Sequence, residues 1–246
     1  MPADDEDSLP TKKAATGDVD AFLAKVAATP SRARAGGRRG RLMFAMDATA
    51  SRQPTWDSAA QIQGEMFTET ANLGGLDIQL AFYRGFGEFR VSQWTDNATE
   101  LLRLMTSVIC LAGETQIAKV LQHTVNEAKA GAVDALVFVG DCVEEDVDKL
   151  GARAGELGML GVPAFIFHEG DDAIAAFAFQ QIAKLSGGAC VRFDRASAAT
   201  LRELLGAVAV YAAGGRLALE DLARRRGGEV KRIAHQVKGD SSRGDG

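Results

Sequence analysis

The patterned part of the chain begins with an uninterrupted apolar run at residues 41–46, Arg-Leu-Met-Phe-Ala-Met, which stops at Asp47. A short apolar run with abrupt ends predicts a strand buried on both faces. A polar loop follows, and Pro54 suits the first turn of a helix. Residues 76–83 and 88–94 read as two strands joined by Arg84-Gly85-Phe86-Gly87, a connection short enough to be a hairpin. The third strand is therefore expected to run antiparallel. Residues 97–108 predict a helix. A second helix follows Thr115, with apolar or small residues at Ile117, Val120, Leu121, Thr124, Val125 and Ala128 forming a stripe at helical spacing. Residues 135–140 are again continuously apolar and end at Asp141, before a charged helix at 146–157. The alternation then repeats as strand 164–167, helix 173–185, strand 190–193 and helix 198–212.

Alternating strands and helices of this kind predict an α/β fold. Strands that are apolar throughout indicate a parallel sheet covered on both sides. The expected architecture is a doubly wound, mostly parallel sheet of six strands between helix layers, with the third strand antiparallel. Residues 41–213 form the predicted domain. Residues 1–40 read as a mobile tail containing one helix at the short apolar stretch 21–27; Gly214-Gly215 interrupts the pattern, and residues 214–246 read as a basic tail in which 217–237 can form a helix broken near Gly227-Gly228.

Composition narrows the function classes. The 246 residues are 46% hydrophobic, enough for a packed core. The longest uncharged apolar stretch, at 204–213, falls well short of the roughly 20 residues that a membrane-spanning helix needs. The acidic N-terminus has neither the basic start nor the apolar run of a secretory signal, so the expected compartment is the cytoplasm. Cys110, Cys142 and Cys190 are three in number and widely spaced, which argues against a disulfide framework or a thiolate zinc site. Residues 41–213 carry 13 basic against 22 acidic side chains and no basic patch with interleaved aromatics. Nucleic acid is not an expected partner.

In a doubly wound sheet, ligands collect beyond the carboxyl ends of the strands. Asp47 closes the first strand and Asp141 the fourth, and in this topology the two strands are neighbours. The spacing Asp47-x-Thr49-x-Ser51 places three oxygen-bearing side chains at alternate positions of one tight loop. Thr115 stands at the start of a helix, available as a cap or as a further oxygen ligand. Hydroxyls mixed with carboxylates suit a hard cation, Mg²⁺ or Mn²⁺, and the scarcity of His and Cys in these loops disfavours zinc.

These three separated pieces, together with the hairpin-joined second and third strands, resemble von Willebrand factor A domains and their metal-ion-dependent adhesion site. The resemblance spans about residues 41–213 and identifies the chain with the intracellular bacterial type. It implies a metal held by the hydroxyls of Thr49, Ser51 and Thr115, with Asp47 and Asp141 acting directly or through water. It further implies a partner protein that supplies an Asp or Glu as the last ligand, with an ATPase or assembly factor as the kind of partner. Two positions depart from the family pattern: Thr49 stands where serine is common, and Gly140-Asp141-Cys142 replaces a Thr-Asp-Gly turn.

Other readings compete. Taken singly, Asp47 is a loop-capping aspartate, Thr115 an N-cap, and Glu144, Glu145 and Asp146 solvated acids at a helix start. His123, His168 and His235 are too scattered for a catalytic cluster, and Trp56 reads as core. Nucleotide-binding and serine-hydrolase motifs are absent. An Mg²⁺-dependent phosphatase of the haloacid dehalogenase type also ends its first strand in Asp, but it generally needs a second acid where this chain has Thr49. No enzyme activity is expected. A structural subunit with a vestigial metal site is the remaining alternative.

Overall fold

The structure is a computed structural model and describes residues 16–30, 38–193 and 198–226. Strands β1 (Gly40–Asp47), β2 (Leu76–Arg84), β3 (Glu88–Val91), β4 (Ala135–Gly140), β5 (Ala164–Glu169) and β6 (Ala189–Phe193) build one sheet in the order β3-β2-β1-β4-β5-β6. Every neighbouring pair is parallel except β2 with β3. The antiparallel pair is closed by Gly85-Phe86-Gly87, whose glycines adopt φ of 58° and 99°. The left-handed region is one that glycine enters without steric cost. Winding reverses at β1, between β2 on one side and β4 on the other, and this creates a crevice at the carboxyl end of the sheet.

Alternate residues of each central strand enter separate cores. Leu42, Phe44 and Met46 of β1, with Val137 and Val139 of β4 and Phe165 and Phe167 of β5, face one helix layer. Met43 and Ala45, with Leu136, Phe138 and Ile166, face the other. Both sets are fully or almost fully buried, which is why the strands carry no polar alternation. The first layer contains α1 (Thr16–Ala28), α2 (Gln53–Thr70), α3 (Ala98–Thr106) and α7 (Ala198–Arg226). The second contains α4 (Ile117–Ala130), α5 (Val147–Met159) and α6 (Ala173–Ser186). Asn97, Asp146 and Asp172 cap α3, α5 and α6 by accepting from backbone N–H groups of the first turn. Trp56 is core as expected: its ring packs edge-on to Phe82 and its indole N–H donates to the Met105 carbonyl at 2.8 Å.

Several boundaries differ from the sequence expectation. The helix placed within an N-terminal tail is docked on the sheet: Phe22 packs edge-on against Phe165 and Phe167, and Val26 is fully buried. Its apolar positions Val19, Phe22, Leu23 and Val26 have the i, i+3, i+4, i+7 spacing of a core-facing stripe. At its far end, Pro30 accepts a hydrogen bond from the Tyr211 hydroxyl of α7 at 2.7 Å. The third strand ends at Val91 rather than at 94, because the Ser92 hydroxyl accepts from Leu80 N–H and takes up a ladder position. The last helix is interrupted at Gly215, where φ is 70°, as expected for Gly214-Gly215, and helical structure resumes as far as Arg226. Gly40 begins β1 beneath α7, and a Cβ there would lie 2.2 Å from the Ala212 carbonyl oxygen. The chain before residue 16 and after residue 226, with its expected break at Gly227-Gly228 and His235, lies outside the described residues. Among the described residues no helix is long and apolar enough to cross a membrane.

Candidate metal centre

Asp47 is the last residue of β1 and, unlike an ordinary loop aspartate, is only 1% exposed. Its Oδ1 accepts from the Thr49 N–H at 2.7 Å, which folds the loop back on the strand end. Its Oδ2 is buried and has no hydrogen-bond partner. Burial pushes the carboxyl up to about 6, with the Asp141 charge adding to the shift and the Thr49 hydrogen bonds and the Arg52 charge opposing it. Beside it in β2, Tyr83 is in register with Asp47 and is wholly buried. Burial first, then the charges of Asp47, Glu145 and Asp141, and last the approach of its hydroxyl to the Asp47 carboxylate, hold its phenol well above the usual range.

The loop continues through the 3-10 turn Ala50–Arg52 into α2, with Pro54 in the first turn as expected. Ser51 is exposed and donates its hydroxyl proton to Asp141 Oδ2 at 2.9 Å. Asp141 follows the last residue of β4, so this contact joins the two neighbouring strand ends that the sequence singled out. A serine that donates its proton to a carboxylate still presents oxygen lone pairs to a cation. Thr49 is half-buried in the same loop.

Thr115, expected as a metal ligand or a cap, is not the N-cap of α4, a position that Gln116 holds. It is 7% exposed, its Oγ1 accepts from Glu144 N–H at 3.0 Å, and its own N–H donates to Glu144 Oε2 at 2.8 Å. Its hydrogen bonds therefore run to the loop after β4, three residues beyond Asp141, and not to the other four candidates. The first turn of α4 is satisfied instead by Glu145, whose carboxylate accepts from Ile117 N–H at 2.6 Å and Ala118 N–H at 2.8 Å. Glu144 and Glu145 thus clamp the α4 loop to the α5 loop, whereas Asp146 is the helix-start acid that was expected. Two histidines are structural: His123 pairs with Gln79 at 2.9 Å and meets the edge of Phe89, and His168 packs against Phe179.

Sequence reasoning missed Arg52, Thr55 and Glu169. Arg52 follows Ser51 directly and is completely buried. Its Nη2 donates to Glu169, which closes β5 and also accepts from the Thr55 hydroxyl. Its Nη1 lies 3.5 Å from Asp141 Oδ2. Nothing in a loop sequence signals that an arginine next to a serine turns inward. The available signal was Glu169, an acid at the end of a third central strand, obscured because the strand was expected to stop at Phe167.

The carboxylates of Asp47 and Asp141 and the hydroxyls of Thr49 and Ser51 are of a chemistry suited to a hard divalent ion rather than to zinc, while Thr115 is engaged with Glu144. Among the described residues no three His, Cys, Asp or Glu side chains gather as a metal-holding group, so any ion here depends on the hydroxyls. Among the described residues, the buried side-chain atoms without a hydrogen-bond partner concentrate at this edge: Asp47 Oδ2, Arg52 Nε and Nη1, Tyr83 OH and His168 Nε2, with Gln63 Oε1 the exception. Buried polar groups are ordinarily paired. An unpaired buried carboxylate oxygen at the sheet edge where Ser51 meets Asp141 fits a cation.

Compared as a sequence, the chain matches no family model and no curated protein. Compared as a fold, it is similar to the SpRpn10 VWA domain, at TM-score 0.51 and 16% identity, over 69% of this chain and 93% of that one. It is likewise similar to the vWF domain of the type V pili tip protein Mfa5 from Porphyromonas gingivalis, at TM-score 0.54 and 12% identity, over 70% and 96%. Proximal thread matrix protein 1 from the mussel byssus aligns at TM-score 0.55 and 14% identity, over 70% of this chain and 48% of that one. Strand order, the single antiparallel strand and these alignments agree that the chain has a von Willebrand factor A-like fold.

Proposed function

We propose that this protein is a divalent-metal-dependent protein-binding module. Asp47, Thr49, Ser51, Thr115 and Asp141 hold Mg²⁺ or Mn²⁺, and a partner's Asp or Glu completes the coordination. The observation that carries this reading is the unpaired, buried Oδ2 of Asp47 at the same sheet edge as the Ser51–Asp141 hydrogen bond. A metal held largely by neutral hydroxyls keeps net positive charge, so an incoming carboxylate is attracted.

The surroundings suit a protein partner. Leu111 N–H donates to the Ala48 carbonyl at 3.0 Å and Glu114 N–H to the Gly85 carbonyl at 3.2 Å, tying the loop before α4 and the β2–β3 hairpin tip to the metal loop. Phe86, Ile109 and Leu111 on these segments are exposed, Phe86 at 84%. Apolar side chains beside a carboxylate-seeking ion favour an acidic residue flanked by apolar ones. An ATPase or assembly factor is the partner class in keeping with the family resemblance, by analogy alone.

The test is a calorimetric titration of metal-stripped protein with Mg²⁺ and Mn²⁺, run beside Thr115→Ala. One-to-one binding that the substitution weakens supports the reading. No heat up to millimolar metal, together with an unchanged melting temperature, refutes it and leaves a structural subunit. Turnover of an aryl phosphate by the loaded protein would move the assignment to a phosphatase.

A further inference from the structure

Arg52 is charged, completely buried and incompletely paired. A buried arginine is normally surrounded by acceptors, because removing its charge from water costs several kcal/mol unless hydrogen bonds compensate. Here Nη2 is paired with Glu169, but Nε and Nη1 have no hydrogen-bond partner. Nη1 lies 3.5 Å from a carboxylate oxygen at the strand end, Asp141 Oδ2, the same atom that accepts the Ser51 proton. The distance is too long for a good hydrogen bond and short enough for charge attraction. The guanidinium is fixed in place from behind, since Glu169 is itself buried and also holds Thr55 at the start of α2.

From this geometry we infer that Arg52 is a resident cation of the metal centre. It is a positioning residue that shares Asp141 with the metal and is anchored to the core by Glu169. The inference rests on the metal-binding reading above. Without the ion, the guanidinium offsets the repulsion between Asp47 and Asp141 and keeps Asp141 at the strand end. With the ion bound, it opposes a second positive charge at the same carboxylate. It therefore weakens metal affinity while leaving the bound metal more electron-poor toward an incoming carboxylate. The structural reason lies in strand order: β1, β4 and β5 are adjacent, so Arg52 after β1 reaches both Asp141 after β4 and Glu169 at the end of β5.

The test compares Mg²⁺ affinity, by calorimetry on the full chain, in wild type and in Arg52→Met/Glu169→Gln, which removes the buried charges together and leaves Thr55 an acceptor. The double variant is expected to bind Mg²⁺ roughly tenfold more tightly. Its melting temperature in EDTA should be lower than that of wild type, and the Mg²⁺-induced rise larger. Arg52→Lys provides a second variant should the first not fold. Its shorter, single-point charge cannot face Asp141 and Glu169 together, so affinity should again tighten, by a smaller factor. Unchanged or weaker affinity in a folded variant, with wild type binding, overturns the role of Arg52 alone. No binding in any of these proteins overturns the metal reading itself, and the inference with it.

Discussion

At the residue scale, Asp47 carries the sharpest consequence. Its carboxyl is raised to about 6 by burial, from the 3.8 of an exposed aspartate. A raised acid binds its proton more tightly in the folded state, so its contribution to stability is fully present below about pH 4. That contribution is lost as pH rises through about 6. At neutral pH the ionised group costs the metal-stripped protein on the order of 2–3 kcal/mol. Asp47→Asn should therefore stabilise metal-stripped protein by about 1–3 kcal/mol at pH 7.5, measured by urea unfolding, and the gain should shrink as pH falls through about 6 and vanish below about pH 4. A loss of stability at pH 7.5 would show that the carboxylate is structural. The cysteines offer an independent check on burial. Burial pushes Cys190 up to about 12 and Cys110 up to about 11, while Cys142, beside Asp141, is raised with less burial behind it. Thiol titration of the native protein at pH 7.5 should modify Cys142 first and Cys190 last.

At the element scale, α1 is a working part of the first helix layer. Phe22 is 2% exposed and wedged edge-on between Phe165 and Phe167, and burial of an aromatic ring in such a site dominates local energetics. Phe22→Ala should cost about 3 kcal/mol in chemical denaturation. An unchanged midpoint would mean that α1 is dispensable. The helix was legible in residues 19–26 as a 3.6-residue stripe, but its isolation between polar segments gave no reason to place it in the core. The β2–β3 turn was legible, since only glycine readily supplies two left-handed positions around Phe86, but the length of β3 was not. The role of the acids in the loop after β4 was not. Which of three consecutive acids clamps Thr115, which caps α4 and which caps α5 depends on where neighbouring loops lie in space.

At the scale of the whole molecule, sheet order assembles the candidate centre. Asp47 and Asp141 are far apart in sequence and meet because β1 pairs with β4. If the assembled edge is a metal-dependent docking face, a partner identified by mass spectrometry should be retained with Mg²⁺ and released by EDTA. Phe86→Ser should reduce its capture severalfold while leaving the Mg²⁺ affinity unchanged, because Phe86 stands at the exposed rim and not among the ligands. Retention that ignores EDTA would place the docking face elsewhere.

The sequence by itself determined the fold class, the antiparallel third strand and the residues to examine. Strand burial, turn chemistry and helical spacing are local signals, and the acids ending the first and fourth strands follow from them. Only the tertiary structure decided that Asp47 is buried with one unpaired oxygen, that Thr115 leans on Glu144, and that Arg52 turns inward between Asp141 and Glu169. Burial and pairing of charge depend on which strand ends become neighbours, and that is settled by packing across the sheet rather than by any pattern along the chain.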